Sequence, residues 1–130
     1  MPVTVTVDEN ALADLGEYLS AKAPDQVLSH DVAFGELTVH IKPAAIVPFL
    51  KLLRVDGRCK FVVLIDICGV DWPGREDRFD VVYHLLSPVL NNRIRVKTQV
   101  GEQDAIESAV GVFPAANWFE REAYDLSLIH

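Results

Sequence analysis

Three apolar-rich runs sit close together in the second half of the chain, and they constrain its fold more than any other feature. Phe61-Val-Val-Leu-Ile-Asp-Ile67 is nearly all apolar, Phe79–Leu86 is a second β-branched and aromatic run, and Arg93-Ile-Arg-Val-Lys-Thr-Gln-Val100 alternates basic or polar with apolar. Trp72-Pro-Gly-Arg-Glu-Asp-Arg78 joins the first pair and Ser87-Pro88 with Asn91-Asn92 joins the second. Both links are turn chemistry and too short for a crossover helix, so the three runs predict an antiparallel meander. The continuous run Phe61–Ile67 predicts a central strand covered on both faces. The alternating run Arg93–Val100 predicts a half-exposed one.

Upstream, Asp8 is placed to cap a helix beginning at Glu9, with Leu12, Leu15 and Leu19 on one face and Pro24 beyond its end. Val27–Phe34 and Glu36–Ile41 flank Gly35, which predicts a hairpin with Leu37, Val39 and Ile41 inward. Pro43 suits the start of a second helix, striped by Ile46, Val47, Phe49, Leu50 and Leu53 and ended at Asp56-Gly57. Pro48 pushes the true start towards Val47, because a mid-helix proline lacks the donor and clashes one turn back. Gly101–Asp104 turns into a short helix carrying Ala105, Ile106, Ala109 and Val110, Pro114 breaks it, and Ala116–Leu126 predicts a last helix. The order αββαβββαα does not alternate strand with helix. It reads as a single α+β domain over residues 1–130, a two-layer sandwich with helices on one side of a mostly antiparallel sheet.

Size and charge remove whole classes of function. A chain of 130 residues buries roughly two-thirds of its unfolded surface and needs no staples. A net charge of −7 repels nucleic-acid phosphates and anionic lipid alike. The longest apolar runs are far below the ~20 residues of a spanning helix. The beginning, Met1-Pro-Val-Thr-Val-Thr-Val-Asp8, reads as neither a signal nor a transit peptide. Cys59 and Cys68 lack paired-thiol or zinc spacing, so they read as reduced core or near-core thiols.

Catalytic patterns are sparse. GxxxxGK[ST], GxGxxG and GxSxG do not occur. His30, His40, His84 and His130 are scattered, and His84 and His40 read as satisfied or solvated strand residues. Asp66, Asp71, Asp77 and Asp80 ring one end of the meander, where carboxylates can hold a hard cation, although solvated loop acids are the commoner outcome. Asp66 interrupts an apolar run and needs a partner such as Arg75, Arg78 or a backbone turn. Arg93, Arg95 and Lys97 form a basic ladder on one strand face, suited to an anionic partner or to cross-strand ion pairs.

The densest signal is Asn117-Trp-Phe-Glu-Arg-Glu-Ala-Tyr-Asp-Leu126. Arg121 and Asp125 are placed to pair along a helix, and Trp118 lies a turn before Glu122. Aromatics and charges ring the helix, so no face is cleanly solvated, and large aromatics beside arginine are the composition of an interface anchor. Glu120 and Glu122 diverge by about 200° around the helix, which excludes them as a paired-acid catalyst.

That decapeptide resembles the signature of the C subunit of proton-pumping NADH:quinone oxidoreductase, respiratory complex I, with Glu120, Arg121, Glu122, Tyr124, Asp125 and Leu126 in place. Leu64-Ile-Asp-Ile-Cys-Gly-Val-Asp-Trp72, Arg78-Phe-Asp-Val-Val-Tyr-His-Leu-Leu-Ser87, Arg93-Ile-Arg-Val-Lys97 and Val112-Phe-Pro-Ala-Ala-Asn-Trp118 resemble the family's preceding segments in order. After Leu126 the chain reads Ser127-Leu-Ile-His130, where the family continues with an aromatic, a glycine, an aliphatic residue and a longer tail. The resemblance therefore implies a truncated or altered C-terminus. It further implies a non-catalytic scaffold in the hydrophilic arm, with no catalytic, cofactor or metal residue of its own. FMN and iron–sulfur clusters would lie in other subunits. The implied partners are chiefly the D subunit, which helps form the quinone pocket, and neighbouring iron–sulfur subunits. The implied contact residues are Trp118, Phe119, Glu120, Arg121, Glu122, Tyr124 and Asp125, and the implied place is the cytoplasmic side of the inner membrane, held peripherally. A homologous subunit of a membrane-bound hydrogenase, a small acidic enzyme built around Asp66 and Asp71, and an anion-binding module on the basic ladder are the competing readings.

Overall fold

A computed structural model describes residues 9–75, 79–101 and 106–124, with side chains as far as Arg121 in the last segment. Helix α1 spans Glu9–Lys22, strand β1 Val27–Ala33 and strand β2 Glu36–Ile41. A 3-10 turn at Pro43–Ala45 leads into helix α2, Ile46–Val55. Strands β3 (Val63–Asp71), β4 (Phe79–Ser87) and β5 (Asn92–Val100) follow, then helix α3, Ala116–Tyr124.

The five strands form one mixed sheet in the order β1-β2-β5-β4-β3. β1–β2, β3–β4 and β4–β5 are antiparallel, and β2 runs parallel to β5, with Val39 opposite Val96. The fold is therefore α+β with a mostly antiparallel sheet, as the element order predicts. The inward residues Leu37, Val39, Ile41, Ile94, Val96, Tyr83 and Leu85 join Leu12, Leu19, Phe49, Leu50 and Leu53 of the first two helices in a single buried cluster. Ala116 belongs to it and Phe119 packs on it, which puts α3 on the same side.

Two expectations fail. Phe61–Ile67 is not a central strand: β3 begins at Val63, stands at the sheet edge, and buries only Leu64 and Ile67 while Val63, Cys68 and Val70 are exposed. The centre goes instead to β5, the alternating strand. It gains two neighbours because β2 enters beside it in parallel, a long-range pairing with no local turn to announce it. Composition misled here because part of the apolar run, Phe61, is a core residue of the connecting segment rather than of the ladder. Nor is there a helix over Ile106–Val110. Ile106–Ser108 are irregular and the chain bends at Ala109 into a turn, with the Val112 and Phe113 amides both donating to the Ala109 carbonyl at 3.0 and 2.8 Å. Ala105 lies outside the described residues, as do Asp8, Asp77, Arg78, Asp125 and Leu126.

Pro48 proves harmless, since it sits in the first turn of α2, where amides lack intrahelical partners anyway. Asp56 ends that helix and ties it to α1. Its carboxylate accepts the Tyr18 hydroxyl and the Arg58 amide, both at 2.8 Å, and Arg58 lies over the Tyr18 ring at 4.3 Å.

Candidate docking surface

The turns at Ala109–Ala115 set the direction of α3. The Ala116 amide donates to the Phe113 carbonyl at 2.8 Å, and the Asn117 and Trp118 amides reach back to Pro114 and Ala115 at 3.2 Å. Arg54 of α2 clamps this approach: its guanidinium donates to the Val112 carbonyl and lies over the Phe113 ring at 5.3 Å. A second clamp comes from α3 itself. Glu120 is buried, and its carboxylate accepts the Ser108 hydroxyl at 2.8 Å and the Ala109 amide at 2.9 Å. Burial raises the pKa of the core phenol Tyr83 well above its ordinary value, and the Glu120 charge adds to that rise.

These clamps sort the sequence candidates into two groups. Ala116, Phe119 and Glu120 face the chain's own core. Asn117, Trp118 and Arg121 face away from it, and Trp118 is 68% exposed. The side chains of Glu122 and Tyr124, and all of Asp125, lie outside the described residues, so the Arg121–Asp125 pairing does too. α3 packs on β3, which itself bares Val63 and Val70. The result is a one-sided helix with an indole and a guanidinium outward, beside β3 at the edge of the described sheet.

The other candidates are largely absorbed by internal pairing. Asp80 is not a loop acid. It lies in β4, nearly fully buried, where Arg75 reaches it at 2.5 Å, the Trp72 indole N–H donates at 2.9 Å and Lys97 stands at 3.4 Å. Burial works against its ionisation, yet Arg75, Lys97 and Trp72 more than offset this and hold its pKa below the usual value. Arg75, one expected partner of Asp66, is spent on Asp80, and Arg78 lies outside the described residues. The Asp66 carboxylate lies 3.1 Å from Nδ1 of His84, its cross-strand neighbour. Among the described residues no group of three His, Cys, Asp or Glu side chains is gathered as a metal site would require. The basic ladder forms on one face as expected: Arg95 pairs with Glu36 and Lys97 with Asp80, which is the cross-strand outcome. His40 pairs with Asp31 at 3.0 Å. A hollow of about 60 Å³ between Glu36, His84, Arg93 and Arg95 is small beside the ~300–1,000 Å³ of ligand pockets. Cys59 is buried and Cys68 is exposed.

The sequence pattern described as "Respiratory-chain NADH dehydrogenase, 30 Kd subunit" matches residues 39–130, most of the chain. The chain belongs to that family. Among curated relatives, the NADH-quinone oxidoreductase C subunit of Mesorhizobium japonicum is 50% identical over 116 residues, that of Ruegeria sp. 53% over 116, and that of Paramagnetospirillum magneticum 52% over 117. Each alignment covers 89% of this chain but only 58–59% of the relative, so the chain spans under three fifths of the length of the proteins it matches. Among solved structures, a chain of the membrane-bound sulfane sulfur reductase, an archaeal respiratory membrane complex, superposes with a TM-score of 0.74. It is 24% identical, with 91% of this chain and 67% of that one covered, a likeness of fold. The resemblance read from the signature segments is thus borne out as family membership. The residue roles assigned to α3 rest on geometry alone.

Proposed function

We propose that this chain is a non-catalytic structural subunit in the hydrophilic arm of a proton-pumping NADH:quinone oxidoreductase, and that α3 docks it on the D subunit at the quinone site, next to iron–sulfur subunits. The observation that carries this reading is the division of labour along α3. Phe119 and Glu120 fasten the helix to its own domain, and that leaves Trp118 and Arg121 projecting outward. A rigid, exposed Trp beside Arg is the side-chain pair that dominates binding energy at protein interfaces. The names of the relatives supply the complex, and the family match includes this helix. Electron transfer from NADH to quinone then belongs to the assembly, with FMN and the iron–sulfur clusters carried by other subunits. Attachment to the cytoplasmic face of the inner membrane runs through those subunits. No described helix is long and apolar enough to cross a bilayer, which fits a peripheral place.

The test uses the full-length chain in its native membranes. Trp118→Ala and Arg121→Glu should leave the thermal midpoint of the purified chain within about 2 °C of the parent, as exposed substitutions do. Each should lower the amount of chain retained in the purified complex by ~10-fold or more, as loss of an interface anchor does. Unchanged assembly in both variants would remove α3 as the docking element.

A further inference from the structure

We infer that the tip of the β1–β2 hairpin is a second docking point, with Phe34 as an aromatic anchor that enters an apolar, basic-rimmed pocket on a partner protein of the same assembly. The inference rests on the reading of the chain as a structural subunit. Ala33 pairs with Glu36, so Phe34 and Gly35 alone make the turn. Both have positive φ, 53° and 74°, the pattern of the tight hairpin turn that favours Asn-Gly. A phenylalanine in that position is strained, because its Cβ crowds the following carbonyl in the left-handed region. The same residue is fully exposed, so none of its ring is buried in this chain. Local strain and a bare aromatic coincide at one residue whose side chain buries nothing in its own fold. Strain held at one position points to a use outside the local structure.

The surroundings select the occupant. From Val27 to Ile41 the hairpin carries Asp31 and Glu36 and no Lys or Arg. His40 stands beside Asp31 and Arg95 beside Glu36, yet the two acidic side chains remain 59% and 46% exposed. An acidic tip on a chain of net charge −7 is repelled by an anionic membrane surface and complements a pocket with basic groups at its rim. Place matters as well. β1 is the sheet edge opposite β3, so four strand spacings, about 19 Å, separate the hairpin from the edge on which α3 packs. The two contacts are independent, and together they would fix the orientation of the domain as well as its attachment.

The deciding variant is Phe34→Asn in the full-length chain. It installs the preferred turn pair, so the purified chain should melt at the same temperature or higher. Its retention in the complex after a salt wash should fall by ~10-fold, while Phe34→Leu, which keeps an apolar tip, should lose far less. A photo-crosslinking phenylalanine analogue at position 34 should give one discrete protein adduct within the assembled complex. It also decides the matter should Phe34→Asn unfold the chain. Full retention of Phe34→Asn, no adduct, or an adduct with lipid alone would each overturn the inference. Because α3 lies at the opposite edge, loss with Phe34→Asn and loss with Trp118→Ala report on separate surfaces.

Discussion

The Glu120 carboxylate holds the Ser108 hydroxyl and the Ala109 amide at 2.8 and 2.9 Å, so the first acid of the Glu-Arg-Glu run is an internal strut. Glu120→Ala leaves a buried amide and hydroxyl without their acceptor and should destabilise the chain by about 1–3 kcal/mol. Ser108→Ala should lower stability by about 1 kcal/mol. The two variants share one network, so the double variant should fall short of their sum in urea unfolding.

Asp80 gives the fold an acid-sensitive joint. Its folded-state pKa lies below the usual carboxylate value of about 3.9, so its contribution is complete above that value and is lost as pH falls through the depressed one. Asp80→Asn should be destabilised by about 1–3 kcal/mol near neutral pH, having removed the charge that faces Arg75 and Lys97. Urea midpoints of parent and variant should converge as the pH drops below about 4. A constant gap down to strongly acidic pH would refute the assignment.

The two thiols should differ sharply. Burial, with the Asp56 charge adding to it, pushes the Cys59 pKa up to about 12, whereas Cys68 is exposed on the edge strand. A thiol-disulfide colour reagent at about pH 8 should therefore titrate one group per native chain and two in guanidinium chloride. Rapid labelling of Cys59 in the native chain would contradict its place in the core.

Gly16 of α1 faces the imidazole of His30 so closely that a Cβ would stand 2.5 Å from Nδ1. Gly16→Ala should therefore destabilise by about 1–3 kcal/mol, although alanine is otherwise the better helix former. Combining it with His30→Ala should recover part of the loss in thermal unfolding.

Much of this fold was legible because its signals are local. The 3.6-residue stripe of Leu12 and Leu19, the alternation of Leu37, Val39 and Ile41, and the turn chemistry between β4 and β5 are short-range patterns that burial obeys. The position of β3 was not legible. Whether a strand stands at the centre or the edge depends on which distant strand pairs beside it, and β2 meets β5 across more than fifty residues. The irregular segment Ile106–Val110 carries helix-compatible apolar spacing, but Glu120 and Arg54 capture hydrogen-bonding groups of this segment and its continuation from elsewhere in the chain. At the candidate surface, Trp118 and Arg121 face outward, whereas Glu120 turns inward, because a helix packed on a core must show it one face. Phe34 gave no sequence signal of its own. Only its backbone angle and its bareness single it out.

The parallel seam between β2 and β5 has a consequence during synthesis. The hairpin emerges from the ribosome long before its neighbour, and the sheet cannot close until Val100 has followed Ile41 out of the exit tunnel. At 5–20 residues per second that interval is about 3–12 s. Throughout it the nascent β2 edge, with Leu37, Val39 and Ile41, is bare, and a holdase chaperone that shields it would raise the yield of folded chain.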